Sequence, residues 1–95
     1  MKINIKARLL AEGLKEATVT HYKDMNIDNV AKACKCSRGT VMYNFGSSWN
    51  FRNDVIREAI RMGNLTVIAQ ALVDRNPLTN DLDMEVRRSA LNSSL

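Results

Sequence analysis

One short stretch near the middle of the chain concentrates groups that can donate or accept hydrogen bonds. Its members are Arg38, Gly39, Thr40, Tyr43 and Asn44. If the stretch is helical, Val41 and Phe45 share one face because they are four residues apart. At about 100° per residue, Gly39 and Tyr43 then point nearly opposite Val41. The sequence therefore predicts an apolar underside and an outer surface suited to recognition through hydrogen bonds.

A helix, a sharp turn and a second helix are predicted to position this surface. Val30 and Cys34 lie one turn apart on the first helix, where small side chains permit close packing. Either Asn26 or Asp28 can cap its start, and Ser37 is a good N-cap for the second helix. The two helices would then hold the hydrogen-bonding surface against a common core.

This run resembles the DNA-binding module of the tetracycline-repressor (TetR) family. That family has the pattern I-A-x-x-A-G-V-S-x-G-T-L-Y-x-x-F, then a small polar pair, a lysine and an apolar residue. The matching run here is Val30-Ala31-Lys32-Ala33-Cys34-Lys35-Cys36-Ser37-Arg38-Gly39-Thr40-Val41-Met42-Tyr43-Asn44-Phe45, followed by Gly46-Ser47-Ser48, with Phe51 in the apolar slot. The resemblance covers roughly residues 5 to 62 and implies a three-helix module with a helix-turn-helix.

Three positions depart from the family pattern. Lys35 replaces the turn glycine, so the turn must accept a side chain where φ is often positive. Met42 occupies the slot of the family tyrosine that usually meets a phosphate, and Tyr43 follows one residue later. Ser48 replaces the family lysine, which removes a phosphate contact that the resemblance would otherwise imply.

The positive charge is concentrated in the same part of the chain. The 95 residues carry a formal net charge of +4. Residues 1–62 contain eleven Lys and Arg against six Asp and Glu, a net charge of +5, whereas residues 63–95 contain three against four, a net charge of −1. A basic surface attracts phosphates irrespective of base sequence, although a pI near 9.4 is also common among small soluble proteins.

The remaining titratable residues do not form a pattern typical of catalysis or metal binding. Cys34 and Cys36 are two residues apart, a spacing that suits neither a structural zinc site nor an unstrained disulfide. We interpret both as small core residues of a reduced, cytoplasmic protein, and His21 as a surface or packing residue. We expect neither an enzyme nor a cofactor, because the sequence contains no carboxylate pair, nucleophile triad or phosphate-binding loop. No apolar stretch approaches the length of a membrane span.

The periodicity of the rest of the chain predicts an all-α fold, with a long or broken fourth helix and a short C-terminal helix. Apolar residues recur at helical spacing over residues 3 to about 20, from 48 onwards, and from 82 to about 91. Ser47 is the expected cap of the fourth helix. Gly63 either ends that helix, with Asn64 opening another, or is a weak point within one helix of about 40 Å whose far half would need a second subunit.

Three segments connect or end these helices in the predicted fold. Residues 21–24 are interpreted as a polar link, and Pro77 ends the helix before it. Asp81 or Asp83 caps the last helix, and residues 92–95 form a frayed tail. Trp49 is expected in the core or at an interface. We divide the chain into a helix-turn-helix DNA-binding module, residues 1–62, and a helical dimerisation segment, residues 63–95.

The leading functional hypothesis is a homodimeric, sequence-specific DNA-binding regulator of transcription, such as a repressor. Arg38 would pair with guanine, Thr40 would meet a thymine methyl or phosphate, and Gly39 would let the backbone approach. The full predicted DNA-contacting set is Lys32, Lys35, Ser37, Arg38, Gly39, Thr40, Tyr43, Asn44, Ser48 and Arg52. The dimer would form through Leu65, Ile68, Leu72, Leu82 and Val86.

An alternative hypothesis uses the same helices to bind another protein and modulate a host regulator. The departures at Lys35, Met42 and Ser48 keep this alternative open. A small-molecule effector is not expected in either case, because only about 30 residues follow the module. TetR-like proteins usually carry a much larger C-terminal domain for ligand binding and dimerisation.

Overall fold

The computed structural model describes residues 4–93, apart from the side chain of Ser93, and the only regular secondary structure in this part of the chain is helical. The helices are α1 (Ile5–Val19), α2 (Ile27–Ala33), α3 (Arg38–Phe45), α4 (Ser48–Met62), α5 (Leu65–Val73) and α6 (Met84–Ser93), with a short 3-10 turn at Pro77–Thr79. The all-α prediction is confirmed for these residues.

Side-chain caps fix where most of these helices begin. Asn26 rather than Asp28 caps α2, since its side chain accepts a hydrogen bond from the N–H of Asn29 at 3.1 Å. Ser47 caps α4 as expected, by accepting from the N–H of Asn50. Before α6, the side chain of Asp83 accepts from the N–H of Glu85 at 2.8 Å. The capping side chains therefore determine the residue at which each of these helices begins.

The N-terminal and C-terminal limits differ slightly from the sequence predictions. Asn4 caps α1, which begins at Ile5 and ends at Val19. The proposed start at residue 3 lies outside the described residues. Asn92 and Ser93 belong to α6 rather than to a frayed tail, and the rest of that predicted tail, residues 94–95, is outside the described part of the chain.

The core lies where α1, α3 and α4 meet and continues beneath α5. Leu9, Val41 and Phe51 are fully buried there. Gly13 lets α1 approach α4 closely, because a Cβ at that position would lie 2.8 Å from the ring of Phe51 and 2.9 Å from Val55. The close crossing of α1 and α4 therefore fixes the surface against which α3 packs.

The fourth helix is broken at Gly63, and the chain folds back on itself. Gly63 has φ of 72° in the left-handed region, and Asn64 caps α5 by accepting from the N–H of Val67. Of the two alternatives for this position, the helix end is the one observed. The 40 Å helix does not form, and α6 packs against α5 within the same chain. The apolar face of α5 is thus covered without a second subunit.

Tyr22 is a core residue, so the prediction of a polar link over residues 21–24 is wrong at this position. Its ring is buried, its hydroxyl donates to Asp74 at 2.8 Å, and its N–H donates to the side chain of Gln70 at 3.0 Å. Gln70 in turn donates to the carbonyl of Ala17 at 2.9 Å. This cluster fastens the α1–α2 loop to α5, and its partners are too distant in sequence for local patterning to reveal them.

We expect Tyr22→Phe to lower the free energy of unfolding by about 1–2 kcal/mol at pH 7, because Asp74 loses a hydrogen bond to its charged form. That bond, more than the ammonium of Lys23, holds the pKa of Asp74 below its ordinary value, against the opposing effect of burial. A lowered folded-state pKa stabilises the fold above the unfolded pKa, and the contribution disappears as the pH falls through the folded value. Urea unfolding at pH 7 and at about pH 2.5 should therefore show the difference between the two proteins shrinking in acid. A difference that stays constant across this range would contradict the assigned role of Asp74.

Candidate functional site

The turn between α2 and α3 contains a lysine in a backbone conformation that glycine adopts more easily. Lys35 has φ of 56°. The N–H of Cys36 donates to the carbonyl of Ala31 at 2.9 Å and thereby closes the end of α2. The sequence prediction that this turn accepts a side chain at positive φ is confirmed. The turn keeps its geometry at a conformational cost of about 1 kcal/mol.

Helix α3 presents the predicted polar surface outward. Its cap is Ser37, whose hydroxyl accepts from the N–H of Thr40 at 3.3 Å. Val41 is fully buried and Phe45 almost so, whereas Tyr43 is 90% exposed. Gly39 is also exposed. The predicted division of α3 into an apolar underside and a polar outer face is therefore confirmed.

Gly39 has no packing role that requires a glycine. A Cβ added there would meet only the hydroxyl of Ser37, at an ordinary contact distance of 3.5 Å. Glycine in the middle of a helix costs about 0.5–1 kcal/mol relative to alanine, and Gly39, in the first turn of α3, carries part of this cost. No close packing within the chain requires glycine at this position. The backbone at the start of α3 is therefore open to close approach by a partner.

Arg38 lies at the start of α3 and faces a carboxylate on α2. Its guanidinium Nη1 is 3.5 Å from Oδ1 of Asp28, and both side chains are more than half exposed. An exposed pair of this kind contributes little to stability. Asp28 is a member of this surface that the sequence analysis treated only as a possible cap. Its carboxylate holds Arg38 near the junction of the two helices while leaving most guanidinium donors free.

The other polar side chains of α3 are partly engaged within the helix. Asn44 donates through Nδ2 to the carbonyl of Thr40 at 2.8 Å, and the hydroxyls of Ser37 and Thr40 lie 3.3 Å apart. Asn44 and Thr40 are half-buried. Tyr43 projects beyond them, so Arg38, Gly39 and Tyr43 form the most accessible part of the face.

The other residues of the predicted DNA-contacting set differ in how accessible they are. Lys32 and Lys35 are exposed beside α3. Arg52 is half-buried and donates through Nη2 to the carbonyl of Met25 at 3.2 Å, so it also ties α4 to the loop before α2. Ser48 is half-buried in the first turn of α4. The sequence analysis missed this structural role of Arg52, because its partner lies 27 residues earlier.

Trp49 lies in the first turn of α4, next to Ser48, and is 53% exposed. It is therefore not a core residue of the chain, and the core half of its prediction is wrong. Its large ring instead adds an apolar element to the surface near α3 and α4. The signal in the sequence is its place two residues after the cap Ser47, in the first turn of a helix that starts at the surface.

Neither protein-family models, nor curated proteins, nor solved structures give a match to this chain. The candidate site is therefore defined by its own geometry alone. Within residues 4–93, no three His, Cys, Asp or Glu side chains converge as they would around a metal ion. In the same part of the chain, none of the helices has the length and apolar character needed to cross a membrane.

The predicted dimerisation residues are wholly or partly buried within the monomer. Ile68 is fully buried within the chain and is not available to a second subunit, so that assignment is wrong. The other four are half-buried and pack against the same core: Leu65, Leu72, Leu82 and Val86. The reason is the break at Gly63, which lets α6 cover the face of α5 that a continuous helix would have exposed.

The two cysteines are free, and Cys34 is a core residue as predicted. Burial raises the pKa of the Cys34 thiol above its ordinary value, and the nearby guanidinium of Arg8 only partly opposes this effect. Cys36 is only half-buried and packs against the core from outside, so the prediction that it is a core residue is wrong. A thiol with a raised pKa is a poor nucleophile, so Cys34 is suited to packing rather than to reactivity.

Proposed function

We propose that this protein is a sequence-specific DNA-binding regulator of transcription that acts as a homodimer on a palindromic site. In this proposal α2 and α3 form a helix-turn-helix, and α3 enters the major groove. The proposal rests on the two-sided character of α3. Val41 and Phe45 anchor the helix, while Arg38, Gly39 and Tyr43 are exposed.

The exposed groups match the chemistry of a base-pair edge. Arg38 presents paired donors suited to the O6 and N7 acceptors of guanine. Gly39 lets the helix backbone come close without a collision, and a Cβ at that position would meet only the hydroxyl of Ser37, at 3.5 Å. Tyr43 reaches beyond the helix and can meet either a base edge or a phosphate. Lys32 and Lys35 supply phosphate contacts that position the protein without distinguishing sequences.

A two-fold dimer would place two copies of α3 about one turn of DNA apart, ~34 Å, and so match a palindrome. The half-buried residues Leu65, Leu72, Leu82 and Val86 remain the proposed contact set. Exposed apolar side chains at Val73 and Met84 lie on the same two helices and extend this surface. Light scattering of the protein alone tests this part of the proposal, since a monomer mass at micromolar concentration would contradict it.

The proposal as a whole is tested by selecting bound fragments from a random DNA pool, followed by footprinting and a salt series. We expect a symmetric protected site and an affinity that falls steeply as salt rises. Each neutralised phosphate contributes about −0.9 to the slope of log affinity against log salt. Failure to bind any selected duplex at low salt would refute the DNA proposal.

We expect Lys35→Gly to stabilise the fold by about 1 kcal/mol and to weaken DNA binding. Glycine removes the conformational cost at positive φ, while the loss of one charge reduces the salt slope by about 1. The matched control is Arg75→Gly, because Arg75 also has φ of 57° and also carries a positive charge, but lies after α5. Thermal unfolding and gel-shift titrations should show both variants stabilised and only Lys35→Gly impaired on DNA. Equal binding by the two variants would remove Lys35 from the DNA surface.

A second candidate function is binding to another protein through the same face. The observation that favours it is the exposure of Arg38 and Tyr43 on α3 and of Trp49 at the start of α4, since Tyr, Trp and Arg are the residues that most often dominate protein interfaces. The salt series separates the two functions. A protein-binding surface of this kind has no reason to bind duplex DNA with a strong salt dependence.

A further inference from the structure

A groove of about 380 Å³ runs between α1 and the C-terminal end of α4, apart from the outer face of α3. Its apolar part is formed by Ala7, Ala11, Leu14 and Met62. Ala7 and Ala11 are one helical turn apart, and their small side chains leave the space that forms the groove. A volume of this size falls within the range of sites that bind small organic molecules.

Met62 gives the groove an apolar side chain that the fold itself does not cover. It is 62% exposed at the end of α4, and its flexible thioether can adapt to ligands of different shape. Leu14 is half-buried on the opposite side. The groove therefore offers an apolar molecule contacts on two sides, which scattered exposed side chains do not provide.

Positive charge outweighs negative charge around this apolar surface. Lys15 and Arg61 line the groove together with a single carboxylate, that of Glu58. Arg61 donates through Nε to Glu58 at 2.6 Å, so the carboxylate is already engaged. Lys15 has no ion pair within residues 4–93 and is exposed. The ammonium of Lys15 is therefore available to pair with an anionic group on a ligand.

We propose that this groove binds a small amphipathic anion, with an aromatic or aliphatic body and one carboxylate or sulfonate group. The body would lie against Ala7, Ala11 and Met62, and the anionic group would meet the ammonium of Lys15. This proposal does not depend on DNA binding, because none of the residues assigned to DNA lines the groove.

The test compares two probes that share an apolar body. These are 8-anilinonaphthalene-1-sulfonate, which is anionic, and N-phenyl-1-naphthylamine, which lacks the sulfonate. We expect saturable, one-to-one binding of the sulfonate, with a rise in fluorescence. Lys15→Met should weaken the sulfonate about tenfold, consistent with the loss of one charge-assisted hydrogen bond, and leave the neutral probe unchanged. Ala11→Phe should abolish binding of both probes, because its ring fills the groove.

Leu91→Ser is the control for binding elsewhere, since Leu91 is an exposed apolar residue on α6 and lies outside the surfaces assigned to DNA, to the dimer and to the groove. We expect this variant to bind both probes as the unchanged protein does. Absence of saturable binding, or retention of sulfonate binding in Ala11→Phe, would overturn the proposal. If circular dichroism shows Ala11→Phe to be unfolded, amide chemical shifts of the unchanged protein decide the matter. Sulfonate-induced shifts at residues 7–18 and 58–64 support the groove, and shifts elsewhere refute it. A dimer that dissociates as the sulfonate binds would also refute it, because a second copy would then be the natural occupant.

Discussion

Arg38→Ala is expected to weaken binding to the selected DNA site by about 1–3 kcal/mol, roughly 5- to 150-fold, and to relax the preference at one base pair. The guanidinium is exposed, and its partner in the free protein is a single exposed carboxylate, that of Asp28. Its donors are therefore available to a guanine at little internal cost. Gel-shift titrations with the selected site and with variants of each base pair measure both effects.

Arg57→Ala is the control for this prediction, because it removes the same charge from a side chain of similar exposure. Arg57 is 58% exposed and pairs with Asp54 at 2.7 Å, whereas Arg38 is 54% exposed and pairs with Asp28. We expect Arg57→Ala to retain the sequence preference. Unfolding curves should show both variants folded to the same extent. Unchanged affinity and preference in Arg38→Ala would exclude Arg38 from base recognition.

Phe51→Ala is expected to produce the largest loss of stability among these variants, about 3–5 kcal/mol. Phe51 is fully buried, and its ring meets that of Phe45 with centroids 4.8 Å apart in an edge-to-face arrangement. It also fills the space against Gly13 on α1. Removal of the ring leaves a cavity where three helices meet. Since small domains are stable by only about 5–15 kcal/mol, urea unfolding should place this variant near the limit of folding.

Trp49→Ala is the control for Phe51→Ala, because it removes a large aromatic ring that lies on the same helix but is not buried. Because Trp49 is 53% exposed, we expect a much smaller change in the free energy of unfolding than for Phe51→Ala. DNA binding should fall in Phe51→Ala in proportion to its unfolded fraction. A fully stable Phe51→Ala protein would show that α3 is not held through this aromatic contact.

The features that local sequence could predict are those decided by neighbours a few residues apart. The burial of Val41 and the exposure of Tyr43 follow from helical periodicity, and Ser37 and Ser47 cap helices as their side chains predict. The sequence predicts that the turn at Lys35 accepts a side chain at positive φ, and Lys35 has a positive φ. These features include most of the outer surface of α3.

The features that could not be predicted depend on contacts between distant parts of the chain. Tyr22 is buried because Gln70 and Asp74, 48 and 52 residues later, accept its two hydrogen bonds. Ile68 is buried because α5 packs against α1, α4 and α6 of the same chain, an outcome that periodicity alone cannot distinguish from a subunit contact. At Gly63 the sequence left two alternatives, and only the three-dimensional packing of α5 decides between them.

The ties between Tyr22 and α5 also have a consequence for the order in which the chain acquires its structure. The amide of Tyr22 finds its acceptor only after α5 has docked, so closure of a long loop must precede protection of that amide. Hydrogen exchange at Tyr22 should then occur mainly through opening of the whole protein, rather than through fluctuation of the α1–α2 loop alone. Such exchange would place the α1–α2 loop and α5 in one cooperative unit, although they lie about 50 residues apart in the sequence.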